Sequence, residues 1–318
     1  EMTAFLDTLL DFLVRIPVLQ PFFFIFTSLC SIPIVILLVA TQKCALHKNC
    51  RYLISFWCIS LLGVLLNEVQ LNALTLAWAA ERGFIPRGVL EPPLRSEFLA
   101  IHSLFYVSSS CFEMFIAFER LISTRNPHIY HVSRIHWAVL APLTVFAYCL
   151  GMSVGYIIYL AGYHITGLLI YNTIDLSTLL INTIGIRYCK VRYESLYGKA
   201  SLNARYQVKE AYDMARAMHP VYFGSFLLKV FAMVIAYAYF LLMSFFNGEL
   251  YALMDLFYFV AHAFNCAFSS VFLMFLHKSI RQSVLALLGR LLRTLLVVAP
   301  DTSVSDTTKK YFTMLEES

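Results

Sequence analysis

The chain is organised around one stretch, Cys111-Phe112-Glu113-Met114-Phe115-Ile116-Ala117-Phe118-Glu119-Arg120. It closes an apolar run that begins near Phe98, and an acid and a base stand side by side at its end. A charge pair costs least at a membrane surface, where the charged heads can reach water. The stretch therefore predicts the inner end of a membrane helix.

The composition indicates an integral membrane protein. The 318 residues are 60% hydrophobic and 14% charged, whereas soluble domains average roughly 45–50% apolar and about 25% charged residues. The net charge is +5, but the bases stand between apolar runs and not along a polar face, so no nucleic-acid partner is expected. The eight cysteines have no metal-ligand spacing, so we expect reduced thiols and neither a metal nor a cofactor.

Seven apolar runs are long enough to cross a bilayer, whose core needs about 20 mostly apolar residues per helix. They cover residues 17–41, 52–78, 98–122, 136–160, 167–189, 220–246 and 251–276. Runs of this length form helices, since barrel strands would alternate over about ten residues. The predicted fold is an all-α membrane protein, a seven-transmembrane helix bundle over residues 17–276.

The distribution of bases predicts the orientation of the bundle. Of the 24 Lys and Arg residues, 17 lie on the side where Arg120 ends the third run, against four on the other side. The positive-inside rule makes the first side cytosolic and places the N-terminus outside, with residues 1–16 as an extracellular arm. Residues 277–300 mix bases with leucines and predict a cytosolic amphipathic helix on the inner leaflet, followed by a cytosolic tail at 301–318. An eighth span is the alternative, but its bases make it costly.

Polar groups inside the apolar runs are candidates for an interhelical switch. At about 1.5 Å per residue, Glu113 in the third run and Lys229 in the sixth lie at similar depth. An acid facing a base there would latch the resting state; the alternative is that Lys229 reaches the membrane surface. Glu68, His262 and Asn265 lie near mid-depth and predict a polar network, with either a switching role or a plain packing role.

A second set of polar side chains lies in the outer half of three runs and predicts the lining of an outward ligand pocket. The set comprises His102, Tyr106, Tyr171, Asn172, Asp175, Asp255 and Tyr258. The many aromatic residues of the chain suit a small, partly apolar ligand, but they also suit contact with lipid.

Signals for an enzyme are weak, and none is expected. The match Gly151-Met152-Ser153-Val154-Gly155 lies inside the fourth run, whereas a nucleophile elbow needs a strand-to-helix turn. Small residues at this spacing favour close helix packing instead. Between the fifth and sixth runs, residues 201–218 predict a further helix with Arg205 and Lys209 on one face. This helix is either a plain extension of its neighbours or a partner-contacting element, and both can hold.

Two motifs resemble those of a known receptor family. Glu119-Arg120-Leu121-Ile122-Ser123-Thr124, with Tyr130 later, resembles the Glu-Arg-x-x-Ala-Thr and Tyr of nematode serpentine chemoreceptors, a group of G-protein-coupled receptors. Ser201-Leu202-Asn203-Ala204-Arg205-Tyr206-Gln207-Val208-Lys209-Glu210 resembles the Leu-Ser-x-Arg-Phe/Tyr-Gln-x-x-Glu-Asn segment of their class e, with class ab as runner-up. His131 and Ala211 depart from the family pattern, which has Glu and Asn there.

The resemblance implies a chemosensory receptor in the cell membrane of sensory neurons. Such a receptor binds an external small molecule and activates a heterotrimeric G protein, with Glu119, Arg120, Arg205 and Lys209 as the candidate coupling residues. Two other readings stay open. The chain is alternatively a non-coupling membrane partner of other proteins, or a transporter or channel that uses the charges within the membrane.

Overall fold

The computed structural model describes residues 19–44, 46–81, 94–127, 137–196, 202–242 and 248–295. These ranges contain eight α-helices and no β-strand. The helices are α1 (Leu19–Lys43), α2 (Lys48–Glu81), α3 (Arg95–Arg125), α4 (Trp137–Gly155), α5 (His164–Ser195), α6 (Leu202–Leu242), α7 (Gly248–Leu276) and α8 (Lys278–Leu295). A π-helical turn, Tyr156–Leu160, continues α4. Residues 1–16 and 301–318, predicted as an outer arm and a tail, lie outside the described residues.

Helices α1 to α7 are long and apolar enough to cross a membrane. This confirms the prediction of seven spanning helices and of a membrane protein. The seven helices form one bundle, because each packs against its neighbours in the chain and α7 also packs against α1 and α2. Short connections make successive helices antiparallel, so α1, α3, α5 and α7 all end on one side. We call that side, where α3 ends at Arg125 and α8 follows, the basic end.

Helix α3 lies at the centre of the bundle. It contacts α2, α4, α5 and α6, and it is the most enclosed of the seven spanning helices in the described residues. Because four neighbours surround it, its polar side chains can meet partners from several helices at once. Serines, a histidine and two glutamates of α3 are accordingly buried inside the bundle.

Two glycines of α4 let it approach the backbone of α3 closely. A Cβ atom added at Gly151 would fall on the carbonyl oxygen of Leu104, and one added at Gly155 would fall on that of Ala100. Helices in lipid associate through such close packing, since the surrounding lipid is as apolar as the side chains. The prediction that these small residues serve helix packing is confirmed.

Large apolar side chains cover the outside of the bundle, as expected of a surface that faces lipid. On α5 alone, Leu180, Ile184 and Val191 are each more than half exposed. Buried residues such as Trp57, Phe112 and Ile116 fill the interior, where α2 and α3 meet.

Helix α6 extends well beyond a bilayer core. Its 41 residues span about 61 Å at a rise of about 1.5 Å per residue, against a core of about 30 Å. The predicted helix at 201–218 forms its first half, so it is an extension of the sixth span. Ala211, Met214 and Met218 recur at helical spacing on this half and form an apolar stripe, and all three are buried against the bundle.

The segment after the seventh span forms α8, as the mixture of bases and leucines predicts. Helix α8 packs against α1 and α7 at the basic end, with Ile280 fully buried. Leu285 and Arg290 are exposed on other parts of its surface. The position of α8 on a membrane surface stays a prediction, and residues 296–300 lie outside the described residues.

Candidate functional site: a buried charge cluster and the Arg120 end

Four side chains from three helices meet inside the bundle, and we call them the Lys229 cluster. Lys229 of α6 donates hydrogen bonds to Ser110 Oγ at 2.7 Å, to Asp175 Oδ1 at 3.0 Å and to Glu113 Oε2 at 3.2 Å. All four residues are almost completely buried. Lys229 therefore does not reach the membrane surface, and its three protons have three partners within the protein.

Two further side chains fix Glu113 in the cluster. Trp57 of α2 donates its indole N–H to Glu113 Oε1 at 3.2 Å, and Tyr222 of α6 donates its hydroxyl to the backbone carbonyl of Glu113, also at 3.2 Å. Removing charges from water costs several kcal/mol per ion, roughly, unless hydrogen bonds and opposite charges compensate them. The cluster meets that condition for Lys229 and Glu113, and it ties α2, α3, α5 and α6 together.

A second buried group lies nearer the opposite end of α3. His102 Nε2 lies 3.1 Å from Glu68 Oε1, and its ring is 5.2 Å from that of His262 of α7. Tyr258 of α7 also packs against both histidine rings. The residues predicted for the switch and those predicted for the pocket thus contact each other. His102 and Asp175, predicted for the pocket, pair with Glu68 and Lys229, which are predicted for the switch.

Tyr106 links the two groups. Its ring stacks on that of Tyr171 at 5.0 Å between centroids, meets the ring of His262 edge-on at 4.0 Å, and lies 5.6 Å from Lys229 Nζ. Among the described residues, no hydrogen-bond partner exists for the hydroxyls of Tyr106 and Tyr171, Asp175 Oδ2 or either ring nitrogen of His262. Tyr106 lies within electrostatic range of Asp175 and Glu113, so its unpaired hydroxyl belongs to the surroundings of the Lys229 cluster.

Other residues predicted for the pocket or switch lie in different places. Asn172 donates to the hydroxyl of Tyr237 on α6 at 2.9 Å, and Asn265 accepts a hydrogen bond from Ser269 one turn later at 3.5 Å. Asp255 belongs to α7, but its side chain lies outside the described residues. The structure thus groups most, though not all, of the predicted residues.

At the basic end, Glu119 and Arg120 form an ion pair that is buried in the bundle. The guanidinium donates two hydrogen bonds to the Glu119 carboxylate, and both side chains are about 4% exposed. Arg120 also lies within electrostatic range of Glu210 of α6 and of His277 beside α8. The pair thus stands where α3, α6 and the start of α8 come together.

Glu210 connects the first half of α6 to the turn between α1 and α2. Its Oε1 atom accepts a hydrogen bond from the backbone N–H of His47 at 2.9 Å. On the same half of α6, Lys209 is exposed and Arg205 is half-buried. The predicted coupling residues therefore lie at one end of the bundle, with the ion pair inside it and Lys209 on its surface.

Two titratable groups just outside the spanning helices have shifted pKa values. Burial raises the pKa of the Cys44 thiol to about 11. Burial, together with the nearby charge of Arg120, lowers the pKa of His277 to about 4. At neutral pH the thiol is therefore protonated and a poor nucleophile, and the imidazole is uncharged.

Metal binding finds no support in the part of the chain that the structure describes. No group of three or more His, Cys, Asp or Glu side chains there is placed to hold an ion. All eight cysteines are free, and only Cys149 is exposed. The histidines at 128, 131 and 136 lie outside the described residues.

Sequence reasoning missed four residues of these groups: Trp57, Ser110, Tyr222 and Glu210. A tryptophan or tyrosine inside an apolar run looks like ordinary core, but its N–H or O–H needs a partner when buried. That rule would have marked Trp57 and Tyr222 as neighbours of a polar group. The comparisons with known proteins add nothing further: no family model matches the chain, and a search of curated proteins gives no significant match.

Proposed function

We propose that this protein is a chemosensory G-protein-coupled receptor of the nematode serpentine type. The observation that supports it most is the buried Glu119–Arg120 pair at the end of the central helix, beside the long α6. An arginine so placed can leave its local partner and contact another protein only if α6 moves away. That is the behaviour expected of a signalling switch, whereas a static bundle has no need for a buried ion pair there.

The orientation follows from the bases. The basic end carries most of the Lys and Arg residues that lie outside the spans, so the positive-inside rule makes it cytosolic and the N-terminus extracellular. In this orientation Arg120, Lys209 and the first half of α6 lie at the cytosolic end, and Tyr106 lies in the outer half of α3. Helix α8 then lies along the inner leaflet.

The mechanism is a choice between two packings of α6. In the described packing, α6 is held to α3 and α5 by Lys229 and to the turn after α1 by Glu210. A ligand shifts the equilibrium only by its difference in affinity for the two packings. Binding near Tyr106 would weaken the Lys229 contacts, release the inner half of α6 and free Arg120 for the G protein.

A transporter or channel is the second candidate, and the Lys229 cluster is the observation that favours it. Charged side chains deep in a membrane protein often mark an ion or proton path. Against this, Lys229 donates three hydrogen bonds in the described packing, to Ser110, Glu113 and Asp175. Such an arrangement suits a contact that holds helices together better than a path for ions. The third reading, a membrane partner that never couples, treats Glu119–Arg120 as a structural pair.

The test is a G-protein activation assay in a heterologous cell, with a chemical panel applied to the native protein, Arg120→Ala and Arg125→Ala. Arg125 is exposed one turn beyond Arg120, so it is a matched control for the loss of a base. We expect a response that disappears in Arg120→Ala and persists in Arg125→Ala at equal surface expression. A full response from Arg120→Ala would contradict the proposal, and currents in cells that lack G proteins would favour a channel.

A further inference from the structure

With both of its carboxyl groups ionised, the Lys229 cluster is one positive charge short of neutrality. It contains two carboxyl groups, those of Glu113 and Asp175, and one ammonium group. Both oxygens of Glu113 have partners, since Oε1 accepts from Trp57 and Oε2 from Lys229. Asp175 uses only Oδ1, and Oδ2 has no partner among the described residues although the side chain is about 5% exposed. An uncompensated charge at this depth is costly.

The surroundings of Asp175 suit a cation. Tyr171 precedes Asp175 by four residues on α5, so both lie on the same face of the helix. The stacked rings of Tyr171 and Tyr106 present aromatic surface there, and aromatic faces attract cations, Lys229 already lying over Tyr106. The hydroxyls of both tyrosines and the ring nitrogens of His262 are unpaired among the described residues. Each hydroxyl, and one of the two nitrogens of a neutral imidazole, can accept an N–H donor.

The same geometry disfavours the other ligand classes. The three ammonium protons of Lys229 already bind Ser110, Glu113 and Asp175. A ligand carboxylate would have to displace one of them and would add a second uncompensated negative charge. A neutral alcohol could bind the hydroxyls, but it would leave the charge of the cluster unchanged.

We propose that the ligand of this receptor is a small protonated amine, whose ammonium group binds Asp175 Oδ2 beside the rings of Tyr106 and Tyr171. The identification rests on the proposed receptor function and adds a ligand class to it. The amine donates one hydrogen bond to Asp175 and others to the unpaired hydroxyls, and it brings the cluster to neutrality. Because all of these side chains are enclosed, the apolar part of the ligand is short.

Such an ammonium competes with Lys229 for Asp175. The two cations repel each other, and Asp175 can shift its hydrogen bond towards the ligand. Lys229 then keeps Glu113 and Ser110 but holds α5 less tightly. Ligand binding thus acts directly on a contact that holds α6 in its resting place.

The experiment measures the melting temperature of the purified full chain in lipid nanodiscs at neutral pH. Three amines are used at millimolar concentration, isobutylamine, isoamylamine and benzylamine, beside the alcohol and the carboxylate of the same carbon skeleton. A ligand that binds the folded state raises its stability, so at least one amine should raise the melting temperature while its alcohol and carboxylate do not. An equal effect of the alcohol, a larger effect of the carboxylate, or no effect of any amine overturns the proposal.

Variants locate the binding site. A hydrogen bond between charged groups contributes roughly 1.5–3 kcal/mol, so Asp175→Asn should weaken amine binding about 10- to 100-fold. Tyr171→Phe, which removes only one hydroxyl, should weaken it by about 2- to 10-fold. Asp213→Asn is the matched control, because Asp213 is an exposed carboxylate on α6 at the basic end. Unchanged amine binding by Asp175→Asn would refute the site. If that variant does not fold, the amine affinity of Tyr171→Phe and the comparison of amine, alcohol and carboxylate test the site instead.

This measurement needs no G protein. A failure of amine binding therefore leaves the coupling test with Arg120→Ala unaffected, and loss of coupling in cells leaves the binding result unaffected. The ligand class and the receptor function can be refuted separately.

Discussion

Replacing Lys229 by methionine gives a direct measure of the buried charge cluster. Methionine keeps most of the apolar length of the side chain, so the variant removes the ammonium group without leaving a large cavity. Glu113 and Asp175 would then be close together with no cation between them, both buried. Removing one partner of a buried ion pair costs about 3–5 kcal/mol, so Lys229→Met should lower the free energy of unfolding by that amount.

The two carboxylates provide the complementary change. The double variant Glu113→Gln/Asp175→Asn leaves Lys229 as an uncompensated buried cation and should also be destabilised. The triple variant, which combines these changes with Lys229→Met, has no charge left in the cluster. If unpaired buried charge causes the loss of stability in the other variants, the triple variant should recover part of that loss. Because the effects of coupled sites are not additive, its free energy of unfolding should exceed that of Lys229→Met by roughly 2 kcal/mol or more.

The assay is reversible unfolding in mixed detergent micelles, followed by circular dichroism, with all variants at the same pH. Lys209→Met is the control, since Lys209 is exposed on the same helix and its loss should change stability by less than about 0.5 kcal/mol. If Lys229→Met is as stable as the native protein, or if the costs of the single and double variants simply add in the triple variant, the account of the cluster is wrong.

Three further predictions concern packing, pH and thiol reactivity. Gly151→Ala should lower the free energy of unfolding by about 1–3 kcal/mol, because the added methyl group clashes with α3. Gly289→Ala on α8 is the control: an added Cβ there meets nothing within 4 Å, so the same unfolding assay should show a neutral or slightly stabilising effect. Folding lowers the pKa of His277 from 6.5 to about 4, so its contribution to stability is complete above pH 6.5 and is lost as the pH falls towards 4. A pH titration of unfolding should therefore show a smaller acid loss in His277→Gln than in the native protein, and an equal loss would contradict the assignment. Cys44, whose thiol pKa is raised to about 11, should resist iodoacetamide at neutral pH in the folded protein and react after unfolding, as mass spectrometry of the modified peptides would show.

Part of the site could be predicted because depth in a membrane helix can be counted along the sequence. The rise per residue placed Glu113 and Lys229 at the same level, and the two side chains do meet. Counting does not give the rotation of each helix about its axis. For that reason the sequence predicts a pocket for Asp175 and a switch for Lys229, although the two share a hydrogen bond. It likewise groups Asn172 with the pocket residues, whereas Asn172 donates to Tyr237 of α6.

The sequence alone predicts a membrane protein with seven spanning helices. Length and apolarity are properties of each segment alone, and the cost of exposing backbone polar groups to lipid forces each such segment into a helix. The same holds for the apolar stripe at Met214 and Met218, which follows from helical periodicity.

Which side chains share a partner depends on how the helices pack in three dimensions. Residues far apart in the chain meet in three places: Trp57 and Tyr222 bind Glu113, Lys229 binds Ser110, and Glu210 binds the turn after α1. Such contacts depend on the rotation and spacing of whole helices, which are set by close packing at places such as Gly151 and Gly155. The packing of the bundle, and no local signal, therefore brings the cation Lys229 and the acids Glu113 and Asp175 together.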